Sequence, residues 1–475
     1  MVSRMAAVAI LMSVWWITDA IPISATALLP VILYPLLGIL KGKATAPIYM
    51  NSTIFLFLSG FMIALSMERW NLHKRIALWI IRVIGGGPSR IILGFMASSA
   101  FLSMWISNTA TAIMILPIGL AVIRKMEAEF GLRETRKFSV YLMLGIAYAC
   151  SIGGIATLVG TPPNLSFARI FEITFPEAAP ITFGRWILFG FPLTLVMLGI
   201  IWVLLTKVFF RPPANLKVDQ SVVDKEYQQL GGMSFEEKSV LAVFSSTAIL
   251  WVFRQDLDLG LLTIPGWSQL LLFPEMIDDG TVGLSMAMIL FLIPTRSKDA
   301  GDITIMSLDV VNKLPWNIVL LFGGGFALAK GFQVTGLSSL IGNKFIGLAH
   351  IPPFLLIIMT CLILTFLTEM TSNTATAEMI LPILASVAVA IETNPLMLMV
   401  PATVSASCAF MMPVATPPNA IIFGSGRIRI AEMARVGFLI NIAGVFTIAV
   451  LFHFLGTAVF SIDSEVFPGW SVLSR

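Results

Sequence analysis

Charge is what this sequence has least of. Lys, Arg, Asp and Glu together supply 12% of its 475 residues, where an ordinary globular domain carries about 25%. So few charges cannot cover a water-facing surface. Apolar residues make up 57% and the mean hydropathy is +0.92, values that assign the chain to the all-α polytopic membrane proteins. Cysteine is nearly absent as well. Cys150, Cys361 and Cys408 all lie in apolar stretches, which excludes a disulfide framework and leaves buried, inert thiols. His73, His350 and His453 are far apart and form no H-x-x-x-H pattern, so a metalloenzyme is not expected. No nucleophile–base constellation appears, so an enzyme is not expected either and no organic cofactor is implied. The net charge of +4 and pI near 9.0 say nothing about nucleic acid, because Lys and Arg gather in the cytoplasmic loops of membrane proteins generally. A channel needs a continuous polar lining, whereas the polar residues here come in isolated clusters. The opening residues show no basic n-region followed by a small-residue cleavage site, so no signal peptide is predicted.

What the chain does have is a phrase that occurs twice. Ser107-Asn108-Thr109-Ala110-Thr111-Ala112 runs on into Met114-Ile115-Leu116-Pro117, and 265 residues later Ser372-Asn373-Thr374-Ala375-Thr376-Ala377 runs on into Met379-Ile380-Leu381-Pro382. A second pair follows, Gly160-Thr161-Pro162-Pro163-Asn164 and Ala415-Thr416-Pro417-Pro418-Asn419, 255 residues apart. Each phrase sets hydroxyls, amides or a proline break into apolar sequence, where an unsatisfied polar group costs several kcal/mol. Gly60-Phe61 and Gly325-Phe326 also share the 265-residue offset, so the duplication extends beyond the polar phrases. The Gly323-Gly324-Gly325 run lacks the context of a phosphate loop and predicts close helix packing.

Taken in order, spans are predicted at 5–18, with Trp15 and Trp16 as interface anchors, then at 22–40 and 53–69. The basic stretch from His73 to Ile84 is too short and too charged to cross and is placed flat in the interface. A re-entrant hairpin of two short arms is predicted over 90–123 with its tip at Ser107-Asn108-Thr109. A discontinuous helix over 139–172 breaks at Gly160–Pro163, where two prolines remove amide donors, and 185–209 closes the first half. The polar passage from Arg211 to Lys238 divides the halves, and Ser234-Phe235-Glu236-Glu237 has the capping-box pattern of a helix start. Spans follow at 238–253, 281–295 and 315–332, then a second hairpin over 353–391, a second broken helix over 397–425 and a last span over 436–460.

Orientation follows from the positive-inside rule. The link from Arg124 to Lys137 holds five basic residues, whereas Ile391-Glu392-Thr393-Asn394 holds none. The first hairpin is therefore expected to enter from the cytoplasm and the second from outside, making the repeats inverted, the plan of many secondary transporters. Arg211, Lys217, Arg296, Lys298, Arg427 and Arg429 then fall inside, and Lys41 and Lys43 outside against the rule. At each tip, Ser and Asn can cap the following helix and aim its dipole at the centre, giving two facing anion corners. These stretches contain no Arg or Lys. The oxygens of Ser107, Asn108, Asn373 and Thr374, with carbonyls freed at Gly160 and Ala415, are hard ligands, so bound sodium would supply the positive charge a dicarboxylate needs. Glu369 and Glu378 are intramembrane acids whose counterparts at the 265-residue offset are Met104 and Ile113. Their roles stay open between a structural hydrogen bond, an outward-facing position and proton coupling.

The paired S-N-T tips, the G-T-P-P-N and A-T-P-P-N breaks, and Trp15-Trp16-Ile17-Thr18-Asp19-Ala20-Ile21-Pro22 resemble the divalent anion/sodium symporter family, carriers of di- and tricarboxylates. The resemblance covers nearly the whole chain. It implies a homodimer in the cell membrane, plasma or bacterial inner, with a fixed scaffold and a transport domain that moves as an elevator. Scaffold segments would be 1–86 and 185–352, with the linking span and cytoplasmic loop inside the latter; transport segments would be 87–184 and 353–431, and 432–475 the last span. One sodium site would use Ser103, Ser107, Asn108 and Gly160, the other Thr368, Asn373, Ala415 and the backbone of Thr371. Substrate would rest on Asn108-Thr109 and Asn373-Thr374, with Thr161-Pro162 and Thr416-Pro417 closing the sides. The family pattern also implies a further span before the segment that opens this chain. The function expected is sodium symport of a C4 dicarboxylate such as succinate, fumarate or malate; sodium-independent exchange, citrate and sulfate are the alternatives.

Overall fold

The protein's structure, a computed structural model, describes residues 1–210, 221–258, 263–297, 303–463 and 466–471. Among them helix dominates, and the only named strands are the two-residue pair Leu257–Asp258 and Thr263–Ile264. The first half runs α1 (Val2–Thr18), α2 (Ile23–Thr26), α3 (Leu29–Leu36), α4 (Gly42–Thr45), α5 (Ser52–Arg69), α6 (Leu72–Ile84), α7 (Pro88–Ser103), α8 (Asn108–Phe130), α9 (Leu132–Ile155), α10 (Pro162–Thr174) and α11 (Phe183–Val203). After the linking helix α12 (Ser221–Gln229), the second half repeats that order. Helices α13 (Phe235–Val252), α14 (Asp279–Leu292) and α15 (Asp309–Lys313) lead to α16 (Trp316–Thr335) and α17 (Leu337–Lys344). The hairpin α18 (Pro353–Thr368) and α19 (Asn373–Ala390) follows, then the broken helix α20 (Leu396–Ser405) and α21 (Pro417–Phe423). Finally come α22 (Ile430–Leu451) and the short α23 (Thr457–Val459). The first hairpin arms, α7 and α18, begin and end 265 residues apart, the offset of the repeated phrases. Among the described residues, seven helices are long and apolar enough to cross a bilayer unaided, α8, α9 and α16 among them.

Three expectations change. The span at 22–40 is not one helix, because Pro30 and Pro35 withdraw donors and the chain turns at Gly38 with φ +67°. The hairpin arms are not half-length: α7 has 16 residues and α8 has 23. Helix α8 runs on through Arg124-Lys125-Met126-Glu127-Ala128, good helix formers, and stops only at Gly131 with φ +83°. The first break opens earlier than the prolines, after Ile155. The capping box at Ser234 is present, with Glu237 N donating to Ser234 Oγ and Ser234 N to Glu237 Oε2.

Several basic residues find acidic partners far along the chain. Lys74, Arg75 and Arg82 of α6 pair with Glu226, Glu237 and Asp224; Arg136 pairs with Glu432, and Arg427 with Glu127. Arg211, Lys217 and Lys298 lie outside the described residues. The two halves interleave: α10 packs on α19, and α21 on α8 and α9, while α14 packs on α5 and α2 on α16. Each broken helix thus lies against the hairpin of the other half. The glycine run of α16 makes three close approaches, with Gly323 against Tyr49, Gly324 against Ala27 and Gly325 against Glu378.

Candidate functional site

Each hairpin tip rests on the break of its own half, and the same hydrogen-bond pattern is built twice. Ser103 Oγ, on the last turn of α7, reaches both Asn108 Oδ1 and Cys150 O, the latter at 2.6 Å. Thr368 Oγ1, on the last turn of α18, reaches Asn373 Oδ1 at 2.6 Å and Ala406 O at 2.9 Å. A hydroxyl has one proton, so each cluster gathers three oxygens around a single hydrogen. Neutral hydroxyl, carboxamide and carbonyl oxygens gathered this closely are the hard donor set that suits a small cation.

The breaks are stapled by the asparagines that end the proline phrases. A helix end leaves its last carbonyls unpaired, and Asn164 Nδ2 reaches Gly154 O, Ile155 O and Thr157 O at 3.2, 3.3 and 2.7 Å. Asn419 Nδ2 reaches Ala409 O and Met412 O at 3.0 and 3.1 Å. Thr157 Oγ1 ties the first break to its tip, donating to Met104 O at 2.5 Å and accepting from Gly160 N at 3.0 Å. Buried oxygens without partners border both breaks: Ser151 Oγ, Asn164 Oδ1, Ser407 Oγ and Asn419 Oδ1.

Of the residues expected in the first site, Ser103, Asn108, Gly160 and Thr161 come together around Gly154. A methyl placed on Gly154 would meet Asn108 Oδ1 at 2.9 Å, Gly160 O at 3.0 Å and Thr161 Cβ at 3.2 Å. Ser107 acts as the N-cap of α8, accepting from Ala110 N at 3.1 Å. Thr109 and Pro162 are half-buried in the first turns of α8 and α10. In the second half Thr368 and Asn373 come together, but the expected cap does not form: Ser372 accepts no cap hydrogen bond. Thr371 turns its hydroxyl to Leu367 O and Thr376 Oγ1 instead. Thr374 is buried, Ala415 is buried with its N–H bonded to Met412 O, Thr416 Oγ1 accepts from Asn419 N, and Pro417 is exposed. Helix α19, which starts at Asn373, packs on α10, which starts just past Thr161; α8, which starts at Asn108, packs on α21, which starts just past Thr416. Each tip helix is therefore packed on the broken helix of the other half, and neither first turn carries an acid.

Sequence reasoning missed Gly154, Ser151 and Ser407, and used Asn164 and Asn419 only as parts of a phrase. Glu369 is settled by its contacts. Its Oε1 accepts from Phe410 N, Met411 N and Asn441 Nδ2, and its Oε2 from Met412 N, at 2.7 to 3.0 Å. It replaces the helical hydrogen bonds that the second break gives up. Gly154→Ala fills the space where Asn108 Oδ1 and Gly160 O converge. It is expected to weaken sodium activation of transport by roughly tenfold or more, the scale seen when the support of a metal site is disturbed. The sodium dependence of uptake measures this, and an unchanged half-activating concentration would remove Gly154 from the site.

Residues 2–462 match the family model of the sodium:sulfate symporter transmembrane region. The sodium-dependent dicarboxylate transporters SdcS of Staphylococcus saprophyticus and Staphylococcus aureus are 42% identical to this chain over 462 residues, covering 96% of it and 86% of each relative. In fold it is similar to the YdaH transporter of Alcanivorax borkumensis, with a TM-score of 0.57 at 13% identity over 95% of this chain and 98% of that one. It is equally similar to the efflux pump MtrF of Neisseria gonorrhoeae, with a TM-score of 0.57 at 13% identity over 98% and 95%. A duplicated bundle with two polar hairpin tips, matched along its length by a transporter family, is a carrier of the cell membrane and not an enzyme, and the chain belongs to the sodium:sulfate symporter family.

Proposed function

We propose that the protein imports a C4 dicarboxylate, succinate, fumarate or malate, by sodium symport. The observation that carries this reading is the pair of oxygen clusters, each with one hydroxyl proton among three oxygens, at Ser103–Asn108–Cys150 and Thr368–Asn373–Ala406. Sodium at each cluster would lie beside a helix N-terminus, and cation and dipole together would hold one carboxylate at each end of a short diacid. No Lys or Arg is needed at the tips. The SdcS relatives, sodium-dependent dicarboxylate transporters by name, support the same coupling and substrate class. In this reading Ser107, Gly160, Ala415 and the backbone of Thr371 complete the ion sites. Thr109, Thr374, Thr161-Pro162 and Thr416-Pro417 border the substrate.

Alternating access would follow from moving the interleaved hairpins and broken helices as one unit against a scaffold dimer. The repeats support this by being unequal: α6 lies along α7 whereas α17 lies along α19, and α10 packs on α16 while α21 has no comparable contact with α5. An inverted repeat in two unequal arrangements is what one of two access states looks like. Uptake of labelled succinate into proteoliposomes tests the whole reading. Accumulation is expected with an inward sodium gradient and not with potassium in its place. Sodium-independent counterflow would make the protein an exchanger, competition by citrate or sulfate alone would change the substrate, and no uptake under any gradient would overturn the proposal.

A further inference from the structure

Glu378 has no place in the site just described, and its surroundings are unusual for an acid. It lies on α19 where that helix meets α10 and α16, and it is 0% exposed. Ser166 of α10 donates to its Oε1, and its Oε2 has no partner. The atom faces Gly325 of α16 so closely that a methyl on that glycine would overlap the carboxyl. Among the described residues no cation pairs with it. On α10, Arg169 and Glu172 pair with each other; on α16, Lys330 is held by Gln333. Lys344 closes α17 far along the chain, Cys361 of α18 is a buried thiol, and α20 has no titratable residue. An ionised carboxylate taken from water into such a place, with one hydroxyl donor, costs several kcal/mol. A neutral acid does not incur that cost.

The inverted repeat supplies a control. The counterparts of Glu378 and Gly325 at the 265-residue offset are Ile113 and Gly60. Ile113 is 56% exposed, and Gly60 faces Val159 and Trp251 instead. One seam is closed over an acid, and its mirror image is open beside an isoleucine.

We propose that Glu378 is a proton-binding site at the seam between the moving unit and the scaffold, occupied by a proton whenever α10 and α19 are docked on α16. The inference rests on the elevator reading above, because it needs α19 to leave α16 during the cycle. Undocked, the carboxyl meets water and releases its proton. Docked, it must be neutral. A difference of one bound proton makes the docking equilibrium fall by up to about tenfold for each unit of rising pH.

The test compares sodium-driven succinate uptake by wild type and Glu378→Gln at matched pH on both sides, from about pH 6 to about pH 9. Taking the ratio cancels titration of the substrate, and Gln copies the shape of the neutral acid. Wild type is expected to change by up to about tenfold per unit, while E378Q keeps its acid-side rate throughout. Equal profiles, or an E378Q protein that folds and transports at no pH, would overturn the proposal. Infrared spectra decide the proton independently of transport, and so remain valid if sodium-driven uptake itself is not found. Wild type should show a carboxylic-acid C=O stretch that E378Q lacks and that Ser166→Ala shifts by removing its hydrogen bond. Absence of such a band sinks the idea even if E378Q does not fold.

Discussion

Asn108→Ala is expected to abolish sodium-driven uptake, and Asn373→Ala to do the same from the other half, with both proteins still folded. Each asparagine gives its cluster the one oxygen that comes from the tip itself, next to the hydroxyl of Ser103 or Thr368. Truncation leaves two oxygens where three stood and removes a carboxamide from the first turn of α8 or α19, so ion and substrate lose a ligand together. A loss of more than a hundredfold is expected, in line with the roughly 10- to 100-fold cost of disturbing a single support of a metal site acting on two bound species. The cost to folding is small by comparison. Both side chains are half-buried and each makes one side-chain hydrogen bond, worth about 1 kcal/mol. Transport in proteoliposomes read beside thermal unfolding separates the two effects. A wild-type rate in either variant would exclude that residue from the site, and joint loss of transport and folding would make its role structural.

How much of this was legible depended on whether the signal was local. The repeated phrases fixed two hairpins and two breaks because a polar run or a Pro-Pro pair in apolar sequence has few other uses. The capping box at Ser234 and the packing role of Gly323–Gly325 were readable for the same reason, each being a matter of a few adjacent residues. Helix lengths were not. Nothing in 124–130 distinguishes a surface link from the last two turns of α8, because Lys, Glu, Met and Ala serve either. The function of Glu369 was out of reach, since its donors lie 41 to 72 residues away and belong to a break whose shape had to be known first. Gly154 was hidden in another way. Its contribution is the absence of a side chain at the one place where oxygens from Asn108 and Gly160 approach, and sequence alone does not say which glycine that is.

Glu369→Ala is the substitution expected to do most damage to the fold, although it touches no ion ligand directly. Residues 406–416 leave helical geometry between α20 and α21, so the N–H groups of Phe410, Met411 and Met412 have no carbonyl one turn back to accept them. One carboxylate accepts all three and the amide of Asn441 besides. The residue is 4% exposed, so water cannot take its place without opening the bundle. The Phe410 N–H and the Asn441 amide are buried and the N–H groups of Met411 and Met412 partly so. Each buried donor left unpaired costs about 1–3 kcal/mol, a substantial share of the roughly 5–15 kcal/mol by which a typical domain is stable. Glu369→Ala should therefore be recovered at low yield or melt far below wild type in detergent. Glu369→Gln keeps one acceptor oxygen but turns an NH2 toward the other donors, so it should lie between the two. Methionine, similar in length and without the oxygens, should fare no better than alanine if acceptors and not volume are what matter. A Glu369→Met protein as stable as wild type would show that the break holds its shape by packing alone, and would return Glu369 to the acids whose purpose must be sought in transport.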